Sequence, residues 1–226
     1  MKTANVQTVA GPGRAWPALA AGLCLLLSGC GSPRPAAPEA TKKAAPERPP
    51  EVYRVTFETS KGAFVVEVTR AWAPRGADHF FDLVQTGFYD GHRFFRVVRN
   101  FVVQFGIHGD PSVNRIWSNT PIPDDPVKQS NTKGTLTYAM RGPGTRTTQV
   151  FINLKDNRAL DKDGFAPFGK VVEGMEVVEG LYNSYGDMAP RGSGPDPKRI
   201  ETQGNGYLES RFPRLDFVKK TTIAPR

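Results

Sequence analysis

Arg96 lies in the run Arg93 to Gly106, R-F-F-R-V-V-R-N-F-V-V-Q-F-G, with Phe94, Phe95, Val97 and Val98 as its neighbours. A cation among such residues is costly unless it is paired. The same run ends near Gln104, whose amide can hydrogen-bond a guanidinium. A second segment, Gly134 to Asn153, reads G-T-L-T-Y-A-M-R-G-P-G-T-R-T-T-Q-V-F-I-N and brings Gln149 and Phe151 at the end of a strand-like run. A cation fixed beside an aromatic pocket suits the isomerisation of an X-Pro bond. That reaction needs no nucleophile, metal or cofactor, because its barrier is amide resonance of about 18–20 kcal/mol. A hydrogen bond to the prolyl nitrogen localises its lone pair, and an apolar pocket removes the water that stabilises the planar amide. A gain of roughly 10³–10⁵ in rate takes about 4–7 kcal/mol, within reach of preorganised electrostatics.

Together the two segments resemble the signature segments of the cyclophilin family of peptidyl-prolyl isomerases. The resemblance implies that Arg96 is the catalytic arginine and Gln104 the glutamine that orients it. It implies that Phe101 and Val102 form the pocket wall, that Ala139 and Gln149 line the groove, and that Phe151 lies under the proline ring. Leu160 would close the pocket, and Phe165 falls where many eukaryotic members carry a histidine. There are departures. The family's F-H-R is Phe94-Phe95-Arg96, its P-G turn is Arg99-Asn100, and its Q-G-G is Gln104-Phe105-Gly106. Met140 replaces an asparagine, Val150 a phenylalanine, and Ala159 the tryptophan associated with cyclosporin binding. These changes keep a second reading open: a module of the cell envelope that binds Pro-containing peptides, or acts as a chaperone, without turnover. A mainly structural envelope protein is disfavoured, since a filler barrel has no need of Arg96 and Gln104 so placed.

Other chemistry-bearing residues do not assemble. His79, His92 and His108 match neither a triad nor a metal spacing, and no cofactor is implied. Asp161-Lys162-Asp163-Gly164 starts like a calcium loop, but Phe165, Ala166 and Val172 stand where its later ligands and glycine belong. Gly142 to Thr148 lacks the Gly-Lys pair of a phosphate loop. Both read as turns. Arg93, Arg99 and Arg141 read as surface charges.

The elements that must position the site are many short strands. Val52 to Thr59 and Ala63 to Thr69 alternate with period two around a Ser60-Lys61-Gly62 turn, which predicts a hairpin. Pro74 opens a predicted helix with Ala77, Phe80, Phe81 and Val84 on one stripe and Gly87 as its stop. Strands follow in both signature segments and at Phe168 to Val172. Val172 to Tyr182 reads as a second short helix, and Phe217 to Ile223 as the closing strand. The pattern, and the resemblance, imply a mainly β fold: a closed eight-stranded antiparallel barrel capped by two helices. A barrel of that size is filled by side chains, so the site is expected on its outer wall. Asn183 to Pro213 has no counterpart in the family; its Gly and Pro read as an insertion loop. Deleting Gly192 to Gly206 is expected to leave turnover of a short peptide largely intact.

Ahead of this domain, residues 1–29 read as a lipoprotein signal peptide. Lys2 and Arg14 give a basic leader, and Ala15 to Leu27 is an apolar run of 13 residues, shorter than the ~20 needed to span a bilayer. It ends in Leu27-Ser28-Gly29-Cys30, which resembles the bacterial lipobox and implies acylation of Cys30. Gly31 and Ser32 resemble the outer-membrane-sorted pattern. The other cysteine, Cys24, lies within the removed segment, so the mature chain has no partner for an internal disulfide. Residues 30–51 form a Pro/Ala-rich tether that cannot bury enough surface to fold, and residues 52–226 form the domain. Removal of the leader lowers the formal charge from +8 to +6. The basic surface is read as solvated, with some affinity for anionic headgroups and no nucleic-acid role. The expected partners are Pro-containing polypeptides and, through the lipid, a membrane. The expected state is a monomer with its domain on the extracytoplasmic, periplasmic side.

Overall fold

The alternating run at the start of the domain forms the expected hairpin, β1 (Val52–Thr59) against β2 (Gly62–Thr69), with Val52 opposite Thr69 and Thr59 opposite Gly62. The period of two sends Tyr53, Val55 and Phe57 to the same side as Phe64, Val66 and Val68, and all six are buried. This computed structural model describes residues 48–225. The leader, Cys30 and most of the tether lie outside the described residues.

Helix α1 (Pro74–Gln85) starts at the predicted proline and buries Ala77, Phe80, Phe81, Leu83 and Val84. The chain leaves it through Gly87, whose φ of 70° is the left-handed conformation that terminates helices. Next come β3 (Arg96–Val98), β4 (Val102–Phe105), α2 (Pro111–Trp117), β5 (Thr135–Tyr138), β6 (Val150–Asn153) and a single 3-10 turn (Arg158–Asp161). The chain ends through β7 (Pro167–Glu173), α3 (Met175–Glu179), α4 (Pro197–Arg211) and β8 (Val218–Pro225). The eight strands form one antiparallel sheet in the order β3-β4-β6-β5-β7-β2-β1-β8. Its concave face holds an aromatic core, with Phe57 stacked on Phe64 at 4.8 Å and Phe80, Tyr89, Phe105 and Phe168 around them.

Three expectations need correction. The sheet curls into a half-barrel but does not close. Its edge strands β3 and β8 form no ladder; the segment ahead of β3 meets the start of β8 through one bridge, Arg93 to Phe217, and through backbone bonds from the Phe94 amide to the Asp216 carbonyl at 3.0 Å, the Val218 amide to the His92 carbonyl at 2.9 Å and the Gly91 amide to the Val218 carbonyl at 2.9 Å. Closure would need a continuous ladder, and β3 is only three residues long. The flanking residues Phe95 and Leu215 instead enter a second apolar cluster with Ile107, Ile200, Tyr207 and Leu208.

That cluster overturns the reading of 183–213 as a loop. Helix α4 forms inside it, with Asp196 capping the Lys198 amide, Pro197 in the first turn, and Ile200, Tyr207 and Leu208 buried. Gly204 breaks the helical geometry at φ 59° and ψ −148°, a region open essentially to glycine alone. A side chain there would collide with the Gly109 carbonyl, so the kink lets α4 sit against the segment leading into α2. The third correction concerns Val172 to Tyr182. Val172 and Glu173 belong to β7, Gly174 turns left-handed at φ 75°, and the helix is confined to Met175–Glu179.

Candidate active site

The register of three strands assembles the site. Arg96 opens β3 directly opposite Gln104 of β4, and Gln104 in turn faces Phe151 of β6. Gly106 lets this happen. Its φ is 109°, and a Cβ there would strike the Thr148 carbonyl. The bare backbone brings the end of β4 against Thr148 and Gln149, with the Thr148 hydroxyl donating to the Gly106 carbonyl at 2.8 Å. A relay of hydrogen bonds results: Arg96 Nη1 donates to Gln104 Oε1 at 3.0 Å, and Gln104 Nε2 donates to Gln149 Oε1 at 3.0 Å.

The guanidinium has a further partner. Arg96 Nε and Nη2 donate to the two carboxylate oxygens of Asp187 at 2.7 and 3.3 Å, a bidentate ion pair in which the arginine side chain is only 11% exposed. Burial alone would raise the Asp187 carboxyl. The Arg96 hydrogen bonds and charge, the Met188 amide at 2.8 Å and nearby Arg191 outweigh that and hold it below the ordinary carboxylate range. Three of the five guanidinium hydrogens are thus committed and two remain for a substrate.

Beside the cation lies an apolar pocket. The Arg96 guanidinium sits 5.3 Å from the centre of the Phe101 ring, and Phe151 meets Phe165 edge-on at 5.7 Å. The walls are braced from behind. Asn157 donates to the Phe101 carbonyl at 2.9 Å and to Asn153 Oδ1 at 2.8 Å. Asn131 donates to the Phe165 carbonyl and to Asp161 Oδ1, both at 2.8 Å. Asp161, which opens the failed calcium motif, therefore serves to pin the turn carrying Leu160.

All nine of the candidate groove residues come together: Arg96, Phe101, Val102, Gln104, Ala139, Gln149, Phe151, Leu160 and Phe165 line one groove of about 760 Å³. It lies outside the aromatic core, on the convex side of the sheet as expected. Cys30 lies outside the described residues. The sequence reading missed part of the lining: Met188, Arg191, Pro197 and Glu201 from the segment after α3, with Met140, Arg141 and Thr145. Arg141 and Glu201 of this lining approach to 3.7 Å. Nothing in local sequence pattern points from Arg96 to a carboxylate so far along the chain. Arg93 is another correction: its side chain is 17% exposed, bonded to Glu209 at 2.8 Å and stacked 4.5 Å from Phe217, not a free surface charge.

A donor edge of fixed orientation beside a braced aromatic pocket can take a proline ring and hydrogen-bond its nitrogen. Comparison with known proteins agrees. The family model for cyclophilin type peptidyl-prolyl cis-trans isomerase/CLD matches residues 54–200. A peptidyl-prolyl cis-trans isomerase of Acinetobacter baylyi is 35% identical over 135 residues, covering 57% of this chain and 71% of that protein. Peptidyl-prolyl cis-trans isomerase B of Escherichia coli is 34% identical over 134 residues, 55% of this chain and 81% of that protein. Among solved structures, a Cryptosporidium parvum cyclophilin type isomerase superposes with a TM-score of 0.55 at 19% identity, covering 77% of this chain and 99% of its own. At that identity the likeness concerns the fold.

Proposed function

Because the chain belongs to the cyclophilin-type peptidyl-prolyl cis-trans isomerases and is an isomerase, we propose that it rotates X-Pro bonds in exported or envelope proteins from a lipid anchor. The observation that carries the site is the cation held by Gln104 beside the Phe101–Phe151–Phe165 pocket. In this reading the proline ring enters between Phe101, Val102, Phe151, Leu160 and Phe165, while Ala139 and Gln149 line the path of the peptide. The free edge of Arg96 donates to the prolyl nitrogen as it becomes pyramidal, and the apolar walls withhold water from the planar amide. No proton is transferred and no covalent bond forms, so orientation of the donor supplies the catalysis.

The envelope assignment is supported by the sequence: the short apolar leader, the Leu27-Ser28-Gly29-Cys30 run and the tether of 30–51. Several acyl chains, at about 0.8 kcal/mol per buried methylene, would hold the protein on a membrane, where it acts as a monomer on Pro-containing chains. Exchange spectroscopy of an X-Pro peptide with the full chain in detergent tests the chemistry. Arg96→Ala is expected to lower kcat/KM by about 10²–10³, or roughly 3–4 kcal/mol; acceleration that survives the change intact refutes the mechanism. For the anchor, cells fed a fatty-acid analogue should label the wild type and not Cys30→Ala. Absence of label on both removes the lipid from the account.

A further inference from the structure

We infer that Asp187, in the segment inserted after α3, is a positioning residue for Arg96 and that the turn from Asp187 to Gly194 is shaped to hold it. The inference rests on the reading of Arg96 as the group that meets the prolyl nitrogen. Asp187 does not itself line the groove; its neighbours Met188 and Arg191 do. Its carboxylate takes the side of the guanidinium formed by Nε and Nη2, while Gln104 takes Nη1. Gln104 alone is a single hinge, about which a planar fork can still swing. With the bidentate carboxylate added, the plane and the free edge are both set.

The turn carries its own marks of this role. The Asp187 carbonyl accepts from the Gly194 amide at 2.9 Å, the Met188 carbonyl accepts from the Gly192 amide at 3.1 Å, and Met188 bridges to Gly194. A Cβ on Gly192 would collide with the Asp187 carbonyl, and one on Gly194 would approach it to 2.7 Å. Two glycines therefore permit the backbone to fold tightly on the residue that bears the carboxylate. Inside the turn, the Met188 amide adds its own hydrogen bond to Asp187 Oδ1 at 2.8 Å, fixing that oxygen from the other side. The same partners hold the Asp187 carboxyl below the ordinary carboxylate range, so the pair is intact at neutral pH and is lost only as pH falls through that depressed value.

Neutralising the arginine does not defeat the chemistry, because isomerisation develops a lone pair on nitrogen and no net charge. What the transition state asks for is a donor in the right direction, and a misplacement of about 1 Å can lower a rate by roughly 10²-fold. The structure thus extends the arginine–glutamine pair of the strands into a triad whose third member comes from the insertion.

The test is a double-mutant cycle on the full chain in detergent, with exchange spectroscopy of an X-Pro peptide as the assay. Asp187→Asn keeps size and removes the charge; it is expected to lower kcat by about 10- to 100-fold with KM little changed. In an Arg96→Ala background the same substitution should have no further effect, since Asp187 acts through Arg96. Gly192→Ala, whose Cβ would force the Asp187 backbone away, should reproduce the loss. In the wild type, the Arg96 Nε proton should be shifted downfield and protected from exchange, and Asp187→Asn should remove both signs. Turnover by Asp187→Asn equal to or above the wild type, with Arg96→Ala inactive, overturns this inference alone. So does a loss of equal size in both backgrounds, or an unprotected Nε proton. A wild-type chain without turnover would instead sink the isomerase reading on which the inference stands.

Discussion

Ile200 is the residue whose truncation best measures what the insertion contributes. It is fully buried in the cluster that joins α4 to Phe95, Ile107 and Leu215. Cutting it to alanine removes three carbons from a packed site, and losses of this kind cost about 2–5 kcal/mol, the sum of lost transfer energy and residual cavity. A middle value of about 3 kcal/mol is a large part of the ~5–15 kcal/mol that holds a domain together. For a domain of this length each kcal/mol moves the midpoint by about 2–4 °C, so Ile200→Ala should lower Tm by roughly 6–12 °C. Circular dichroism of the full chain reads this directly, with exposed Gln203→Ala as the control, expected within about 0.5 kcal/mol of wild type. Well below its midpoint the variant should still turn over substrate, because Arg96, Gln104 and Phe151 ride on β3, β4 and β6. An Ile200→Ala chain that melts within about 2 °C of wild type would refute the argument and return the insertion to the status of a solvated appendage. By the same reasoning the deletion of Gly192 to Gly206, harmless on the sequence reading, should destabilise the fold, since it removes Ile200 and uncovers Phe95 and Ile107.

Phe151→Ala should weaken binding of the proline ring as well as turnover, raising KM and lowering kcat in the exchange assay; a change in kcat alone would place Phe151 outside the pocket floor. Arg96→Lys should recover less than about a tenth of wild-type kcat/KM, because an ammonium cannot satisfy Gln104 and both oxygens of Asp187 while keeping a free edge. Full activity of the lysine variant would show that charge rather than fork geometry matters. Stability should fall in mild acid through His92, which is fully buried, has no hydrogen-bond partner at either ring nitrogen among the described residues, and stands 5.2 Å from the His108 ring. Burial, reinforced by His108, pulls its pKa from 6.5 to about 3. Between those values the unfolded chain binds the proton and the folded chain does not, so acid favours unfolding. The domain should be about 2 kcal/mol less stable at pH 5 than at pH 7 from this group. His92→Phe should flatten the slope in denaturant titrations at the two pH values; an unchanged slope assigns the acid sensitivity elsewhere.

The groove was legible because its residues sit close in sequence on paired strands. Once Arg96 and Gln104 are placed across one tight turn, and Gln149 and Phe151 on the adjoining strand, the register fixes their meeting. The closed barrel was not legible for a related reason: strand count and alternation are local, whereas closure depends on whether two edges far apart in the chain make a ladder, and here β3 and β8 make none. Helix α2 had a signal, Asp110-Pro111-Ser112, in which the aspartate caps the Ser112 amide at 2.7 Å. Helix α4 had the same one, Asp196-Pro197-Lys198, hidden by Gly204 and Gly206 downstream. Both helices are declared by their caps and masked by composition, and glycine content misleads where a glycine serves close packing instead of a turn. Asp187 had no signal of any kind, since an ion pair depends only on where two chain segments finish in space. The family match runs to residue 200, inside α4, and the segment after α3 reaches Arg96 through Asp187. The arginine–glutamine pair fixed by strand register is held by a carboxylate that register does not place. Changes in that segment should accordingly alter turnover while leaving the strands of the groove as they are.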